Sequence, residues 1–435
     1  MPPSIRRAPN PMKTKFFFFG CWNLDNCAAL DFRHEVITSI RSHPFDFGII
    51  AGDNIYPRKS QDKKPYYQST LQTFHKLPKI PIYVTIGNHD VKKESILRKQ
   101  LITVEESNAT SDTRLIMTSN VMNEKRGQIR ILCIDTNLLG GSIPAIYSIP
   151  DIPFLICKNG EDVVKWLSTQ LSIFHVGWTI IVGHEPLVTV RPDKERISQL
   201  SYADELIELI AAHKRCVYMC ADTHNFQAWN ITCGSNTFPM IVSGTGGAKP
   251  DPQIALDSTY ASLARTGRNQ YSIAGPNGPH HIKLDLVASR PAYGYCDILC
   301  SSTHLYLVYI SLSGCIAKNK EPLHIECGIN GKLRPLAEPA ESAESAEACT
   351  PPPYTNCDFT QDVELTGGSN FTDSLKKALL STRKPVGLMK LLDRGASVAE
   401  IKEFLNTKPK YIQAVSRKLT HPHLIARIAK MFALT

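Results

Sequence analysis

Four short stretches of this 435-residue chain set metal-binding or acid–base side chains directly behind a small residue. They are Gly52-Asp53-Asn54-Ile55-Tyr56-Pro57, Gly87-Asn88-His89-Asp90, Gly183-His184-Glu185-Pro186, and Asp222-Thr223-His224 within Cys220 to Gln227. A glycine at a strand end permits a sharp turn, after which the next polar side chain can point into a shared cavity. Taken singly, each stretch reads as an ordinary turn. Together they offer oxygen and imidazole donors from four loops, a set that suits a pair of hard or borderline cations. Two such cations about 3.5–4 Å apart hold a hydroxide, stabilise attacking and leaving oxygens and neutralise a phosphoryl group. A carboxylate must bridge them, and Asp53 is the candidate.

Each stretch follows an apolar run. The runs expected as strands are Phe16 to Phe19, Phe47 to Ala51, Ile80 to Ile86, Ile129 to Asp135, Trp178 to Gly183, Cys216 to Ala221 and Met240 to Ser243. Helical spacing appears at Cys27 to Ser42, with Phe32, Val36, Ile37 and Ile40 on one side, and around Glu161 to Phe174 and Ala203 to His213. Strand, loop and helix in this order predict α/β packing with helices outside the sheets. In such folds ligands gather at the carboxyl ends of strands.

The ordered set resembles the calcineurin-like metallophosphoesterases, and within them the tartrate-resistant, single-domain purple acid phosphatases. That subgroup shows GDxGG, GDNFY, GNHD, GHYP and GHDHNLQ in succession. Here GDNIY keeps the tyrosine three residues after the aspartate, and CADTHNFQAW keeps the His-Asn-x-Gln ending. WLSTQLS and VSGTGG resemble the subgroup's helix before the Gly-His strand and its Ser-Gly-x-Gly turn. The likeness runs from residue 15 to residue 328, including closing strands within Tyr293 to Glu326.

The resemblance implies a four-layer α/β/β/α sandwich and hydrolysis of a phosphomonoester by a metal-bound hydroxide at a dinuclear site. The substrate would be a phosphorylated small molecule or protein. Asp53 would bridge two divalent or mixed-valence metal ions, iron paired with iron, zinc or manganese. Tyr56 and His224 would bind the first metal and Asn88 and His184 the second. His89 would lie beside the substrate and assist phosphate binding or leaving-group protonation.

Three positions depart from the pattern. Cys21, in Gly20-Cys21-Trp22, stands where the subgroup has an aspartate ligand of the first metal. A thiolate there is softer and favours zinc over ferric iron; Asp25, from the following loop, is a second candidate for the role. Asp222 stands where the last motif has a histidine ligand of the second metal, and a carboxylate there suits manganese, magnesium or iron. The subgroup's further histidine after Gly-His has no counterpart in LVTVRPDKER, which offers Arg191 or Lys194 instead. These departures also admit a catalytically silent member of the fold that serves as a binding or scaffold module. In that reading Cys21 is a small buried strand-end residue and Asp222 a turn cap.

Thirteen cysteines, an odd number with no C-x-x-C pair, read as reduced core thiols. The Cys216/Cys220 and Cys296/Cys300 spacings suit neither a zinc ribbon nor a redox motif. The N-terminal apolar run is too short for a signal peptide, and no stretch approaches the length of a membrane span. The expectation is therefore an intracellular, cytoplasmic protein, in which the sequons at Asn108, Asn230 and Asn370 carry little meaning. Residues 1–14 read as a flexible tail, 329–370, with its Ala-Glu-Ser repeat and three consecutive prolines, as a low-complexity linker, and 371–435 as a basic all-helical domain. The formal charge of +9 resides in that last segment, which has thirteen Lys/Arg against four Asp/Glu, while the remainder balances at thirty-six each. These helices read as a small bundle with a solvated basic surface, with an anionic partner as the alternative; no nucleic-acid-binding signature accompanies them.

Overall fold

The computed structural model describes residues 13–336 except 23–26, 57–75, 93, 111–113, 141–146, 148–153, 192–195, 249, 252–269, 276–277 and 313–321. The chain divides into two units, Met1–Asp358 and Phe359–Thr435, and every described residue belongs to the first. The expected N-terminal tail up to residue 12, nearly all of the linker and the basic helical segment lie outside the described residues.

The chain begins with β1 (Thr14–Phe19), α1 (Cys27–Arg41), β2 (Phe47–Ile50), β3 (Pro81–Val84), α2 (Glu94–Thr110) and β4 (Arg114–Ile116). The four strands run parallel, in the order β1-β2-β3-β4. A second sheet takes β5 (Met122–Arg126), β6 (Ile129–Cys133), β7 (Trp178–Val182), β10 (Cys216–Cys220), β11 (Phe226–Cys233), β12 (Asn236–Ser243), β13 (Gln270–Gly275) and β14 (Gly278–Arg290). Helices α3 (Gly160–Ser172) and α4 (Ala203–Ala211) and the hairpin of β8 (Val188–Arg191) and β9 (Arg196–Gln199) fall between its strands in sequence. The chain then returns to the first sheet with β15 (Gly294–Cys300), β16 (His304–Ser311), β17 (Leu323–Gly328) and β18 (Leu333–Pro335), β15 lying antiparallel to β1. Each sheet has eight strands. Strand β18 stands beyond residue 328, within the stretch expected as linker.

Alternation along β1 explains the layering. Phe16 and Phe18 pack between the sheets with Trp178, Ile180, Val217 and Met219. Phe17 and Phe19 face the other way and join Val36, Ile37 and Ile40 of α1. On the second sheet Ile181 and Tyr218 likewise meet Val163 and Leu167 of α3 and Leu206, Ile207 and Ile210 of α4. Both faces of the central strands are buried, so they read as continuous apolar runs rather than as alternating ones. Helices over both outer faces give the expected four layers, α/β/β/α.

The expected helices agree with the structure within one or two residues at each end; the side chain of Phe32 is outside the described set. Helix α3 starts where Asn159 accepts from the Asp162 backbone N–H at 2.8 Å, with Glu161 and Asp162 in the first turn complementing the helix dipole. Strands β6, β7, β10 and β12 of the second sheet are mutually parallel, in the order β6-β7-β10-β12. Gly20 N–H, just after β1, donates to the Ser243 carbonyl at the end of β12 at 2.8 Å, so the carboxyl ends of both parallel arrays meet at one rim.

Candidate metal centre

The backbone at this rim is unusual in the same places as the sequence. Among the described residues four non-glycine positions have positive φ, and three of them are Cys21 (52°), Asp53 (54°) and Asp222 (52°). Each is the second or third residue after a strand, turned left-handed so that the chain reverses while the side chain stays at the rim. Such conformations cost of order 1–3 kcal/mol each and persist where the surroundings enforce them. A glycine is required at 87, since a Cβ there would lie 2.2 Å from Asp53 N and 2.3 Å from Asp53 Oδ1.

The loops bring Cys21, Asp53, Asn88, His184 and Asp222 together. His184 is fully buried, and its Nε2 lies 3.3 Å from Asp53 Oδ1 and 3.8 Å from Asp222 Oδ1. Its Nδ1 donates to the Ala51 carbonyl at 2.7 Å, which fixes the neutral tautomer and leaves Nε2 facing the two carboxylates. Asn88 Nδ2 donates to Asp222 Oδ1 at 3.1 Å, and the His89 backbone N–H donates to Asp53 Oδ1 at 3.0 Å. Cys21 Sγ, an Asp53 oxygen and a His184 nitrogen lie within 4.8 Å of one another; no second group of three His, Cys, Asp or Glu side chains is so close among the described residues.

Tyr56 is buried, and its ring centroid lies 4.4 Å from that of the His89 ring. Its phenol acts on both Cys21 and Asp53. His224 is half-buried; its backbone N–H donates to Asp251 Oδ2 at 2.8 Å and its carbonyl accepts from the Asp251 N–H at 2.8 Å. Arg191 ends β8, its side chain outside the described set, and Asp25 and Lys194 lie outside the described residues.

The electrostatics follow from this crowding. Burial and the carboxylates of Asp53 and Asp222 push the Cys21 thiol well up, and burial with Asp53 and Cys21 does the same to the Tyr56 phenol. Burial would also raise Asp53, but the neighbouring His184 and His89 outweigh it and hold the carboxyl below its ordinary value. For His184 burial acts downward, yet Asp53 and Asp222 prevail and lift the imidazole to about 9. Burial lowers His89, reinforced by Lys92, whose Nζ is 2.9 Å from His89 Nδ1.

Two residues inside the quoted motifs take roles the sequence reading did not assign. Asp90 is fully buried and accepts from the backbone N–H groups of Gly87 (2.7 Å), Asn54 (3.0 Å) and Ile55 (3.0 Å). Asn54 donates to the Thr85 carbonyl (2.8 Å) and to Asp90 Oδ2 (3.1 Å), and accepts from Trp22 Nε1 at 3.2 Å. This network ties the loops after β1, β2 and β3 together and thereby aims Cys21, Asp53 and Asn88. Their signal in the sequence was position alone: polar residues in strand-end loops whose backbone donors need buried partners. Asp251, which holds the His224 loop, carries no local signal.

The donors fit cations. Among the described residues, the buried Asn88 Oδ1 and His184 Nε2 have no hydrogen-bond partner, and a buried polar atom left so costs about 1–3 kcal/mol. Beside them stand two carboxylates, and across Asp53 stand a thiol, a phenol and the His224 loop. A neutral imidazole, carboxylates and an amide oxygen suit a hard or borderline divalent ion, and the thiol end suits a softer one.

A family model described as calcineurin-like phosphoesterase matches residues 14–226, from β1 to the start of β11. Tartrate-resistant acid phosphatase type 5 of Sus scrofa is 23% identical over 329 residues, covering 72% of this chain and 87% of the relative. The same protein of Homo sapiens is 25% identical over 292 residues, covering 64% and 80%. A solved structure described as GAP50, the anchor in the inner membrane complex of Plasmodium, aligns with a TM-score of 0.47 at 14% identity, over 69% of this chain and 84% of that one. With its strand-end motifs folded onto one rim of a two-sheet sandwich, the chain carries a calcineurin-like phosphoesterase domain, a hydrolase of phosphate esters.

Proposed function

We propose that this protein is an acid-phosphatase-like phosphomonoesterase working through two metal ions bridged by Asp53. The observation that carries the reading is the convergence of Asp53, Asn88, His184 and Asp222 around two buried atoms of ligand type that make no hydrogen bond among the described residues, Asn88 Oδ1 and His184 Nε2. In this assignment Asp53, Asn88, His184 and Asp222 hold one ion, and Asp53, Cys21, Tyr56 and His224 hold the other. Zinc, manganese and iron are the ions compatible with these donor types. When bound, the pair supplies a hydroxide nucleophile at neutral pH and neutralises the phosphoryl charge.

The chain's own residues then have distinct tasks. Asp53 joins the two halves, and its oxygen is steadied by the His89 backbone N–H. His184 is held in register by its bond to the Ala51 carbonyl, so its ligating nitrogen needs no reorientation. The His89 imidazole is half-buried at the rim and stands against Tyr56, placed to meet a phosphate oxygen or give a proton to the leaving alcohol. Asp90 and Asn54 position these groups through the loop network without touching substrate.

The test is hydrolysis of a chromogenic phosphomonoester by protein reconstituted with zinc, manganese or iron across pH. Turnover that falls at least about a thousandfold in Asp53→Asn is expected, because one bridging ligand serves both ions. Turnover equal in the variant would contradict the proposal. Absence of turnover with every metal would favour the binding-module reading, for which the loss of a carboxylate at Cys21 is the observation in the sequence.

A further inference from the structure

Among the described residues seven large apolar side chains are exposed, and three of them fall within four consecutive positions: Ile173 (53%), Phe174 (88%) and Val176 (69%). Scattered apolar residues on a surface are ordinary, but a cluster in one loop marks an interaction site. This loop joins α3 to β7 and therefore lies at the end of the sandwich opposite to the rim that carries His184, which follows the other end of β7.

The loop is built to hold these side chains outward. Arg130, itself buried, donates through Nη1 to the carbonyls of Ile173 (2.8 Å) and Gln170 (3.0 Å). Arg215 donates through Nη1 to the Val176 carbonyl. Arg215 is also the fourth non-glycine residue of positive φ, at 60°, and the one such described residue outside the metal centre. Gly177 passes so close to the Gln128 carbonyl that a Cβ would lie 1.7 Å from it, and His175 and Trp178 both reach the same carbonyl. Two guanidinium groups and a tight glycine thus fix the backbone, and the apolar tip cannot collapse onto the core.

The surroundings are cationic. Lys125 and Lys214 are exposed, Arg215 is half-buried, and Arg130 and Lys125 are both close enough to act on His175. A convex apolar tip within a basic collar matches an anionic bilayer surface, where aromatic and aliphatic side chains enter the headgroup boundary and Lys/Arg remain among the lipid phosphates. A protein groove would be the other way to cover such a tip, but the collar's charge favours the lipid.

We propose that the Ile173–Val176 loop is a peripheral docking tip for anionic lipid surfaces, at the end of the sandwich opposite to the rim that carries the candidate metal centre. The basic 371–435 segment can itself draw the chain to anionic vesicles, so the reporter has to sit on the loop. In the full chain, Phe174→Trp is expected to show blue-shifted emission, quenched by brominated lipid, on vesicles of phosphatidylcholine with phosphatidylserine. Vesicles of phosphatidylcholine alone should produce neither effect. Phe174→Ser should weaken partition onto the anionic vesicles about tenfold or more while leaving phosphomonoester turnover in solution unchanged. Emission that stays water-like while the chain sediments with vesicles would overturn the proposal. A Phe174→Ser variant that loses self-association but not vesicle binding would overturn it too, reassigning the tip to a protein contact.

Discussion

Asp53 stands in a crowded neighbourhood: a left-handed backbone, a buried imidazole at 3.3 Å, an amide donor from the His89 backbone, and the Tyr56 phenol. Where a cation is to sit between such groups, the residue types around it set which cation. Asp222→His replaces a carboxylate by an imidazole, so the chain's preference between manganese and zinc should move toward zinc by about tenfold or more, as read by competitive titration. An unchanged preference would remove Asp222 from the ligand set. A second consequence concerns pH. In the metal-free protein Asp53 and Asp222 outweigh burial and raise His184 from its ordinary 6.5 to about 9. Protonated His184 therefore stabilises the metal-free fold fully below pH 6.5, and that contribution is lost as pH climbs through about 9. A ligating histidine must be neutral, so metal affinity should climb across the same window. Thermal melts should show the metal-free midpoint falling and the gap to the metal-loaded midpoint widening with pH, both effects shrinking in His184→Gln. Parallel curves for the two proteins would contradict the assignment. At this scale the sequence was legible for Asp53, Asn88 and His184, because each follows a glycine at a strand end. It was silent on Asp251, whose partner His224 is twenty-seven residues away.

Elements succeed or fail as sequence signals according to what they bury. β1, β2, β7 and β10 are sandwiched between helices and the opposite sheet, so FFFF, FGII, WTIIV and CVYMC announce themselves. Strand β11 does not, because its core positions include the fully buried Gln227 and the nearly buried Asn230. Gln227 takes the Trp229 indole N–H at 2.8 Å, and Asn230 pairs with Leu333 of β18, a hundred residues on. Long-range satisfaction of polar groups makes such segments structural, and no local pattern records it. The strand-end loops, by contrast, depend on close approach. Gly87→Ala would drive a Cβ into Asp53 and should cut turnover by about 100-fold, the scale of an ångström-sized displacement of a catalytic group, while circular dichroism stays native. Full turnover in this variant would show that the two loops need not touch.

At the scale of the whole molecule the fold is two eight-stranded sheets whose parallel halves end on one rim, and the loops of both sheets are needed to make the centre. Asp53, Asn88 and Cys21 come from the first sheet, His184 and Asp222 from the second, and hydrogen bonds from Gly20 to Ser243 and from His184 to Ala51 lock the halves in register. α/β alternation made the layered arrangement readable; the return of β15 to β18 to the first sheet depended on pairings that span the chain. The central claim is that Asp53 bridges two cations drawn from these two sheets. Anomalous diffraction from crystals soaked in zinc or manganese tests it most directly. Two peaks about 3.5–4 Å apart are predicted, flanking Asp53, one beside Asn88, His184 and Asp222 and the other beside Cys21, Tyr56 and His224. A single peak, or two peaks that do not share Asp53, would contradict the account.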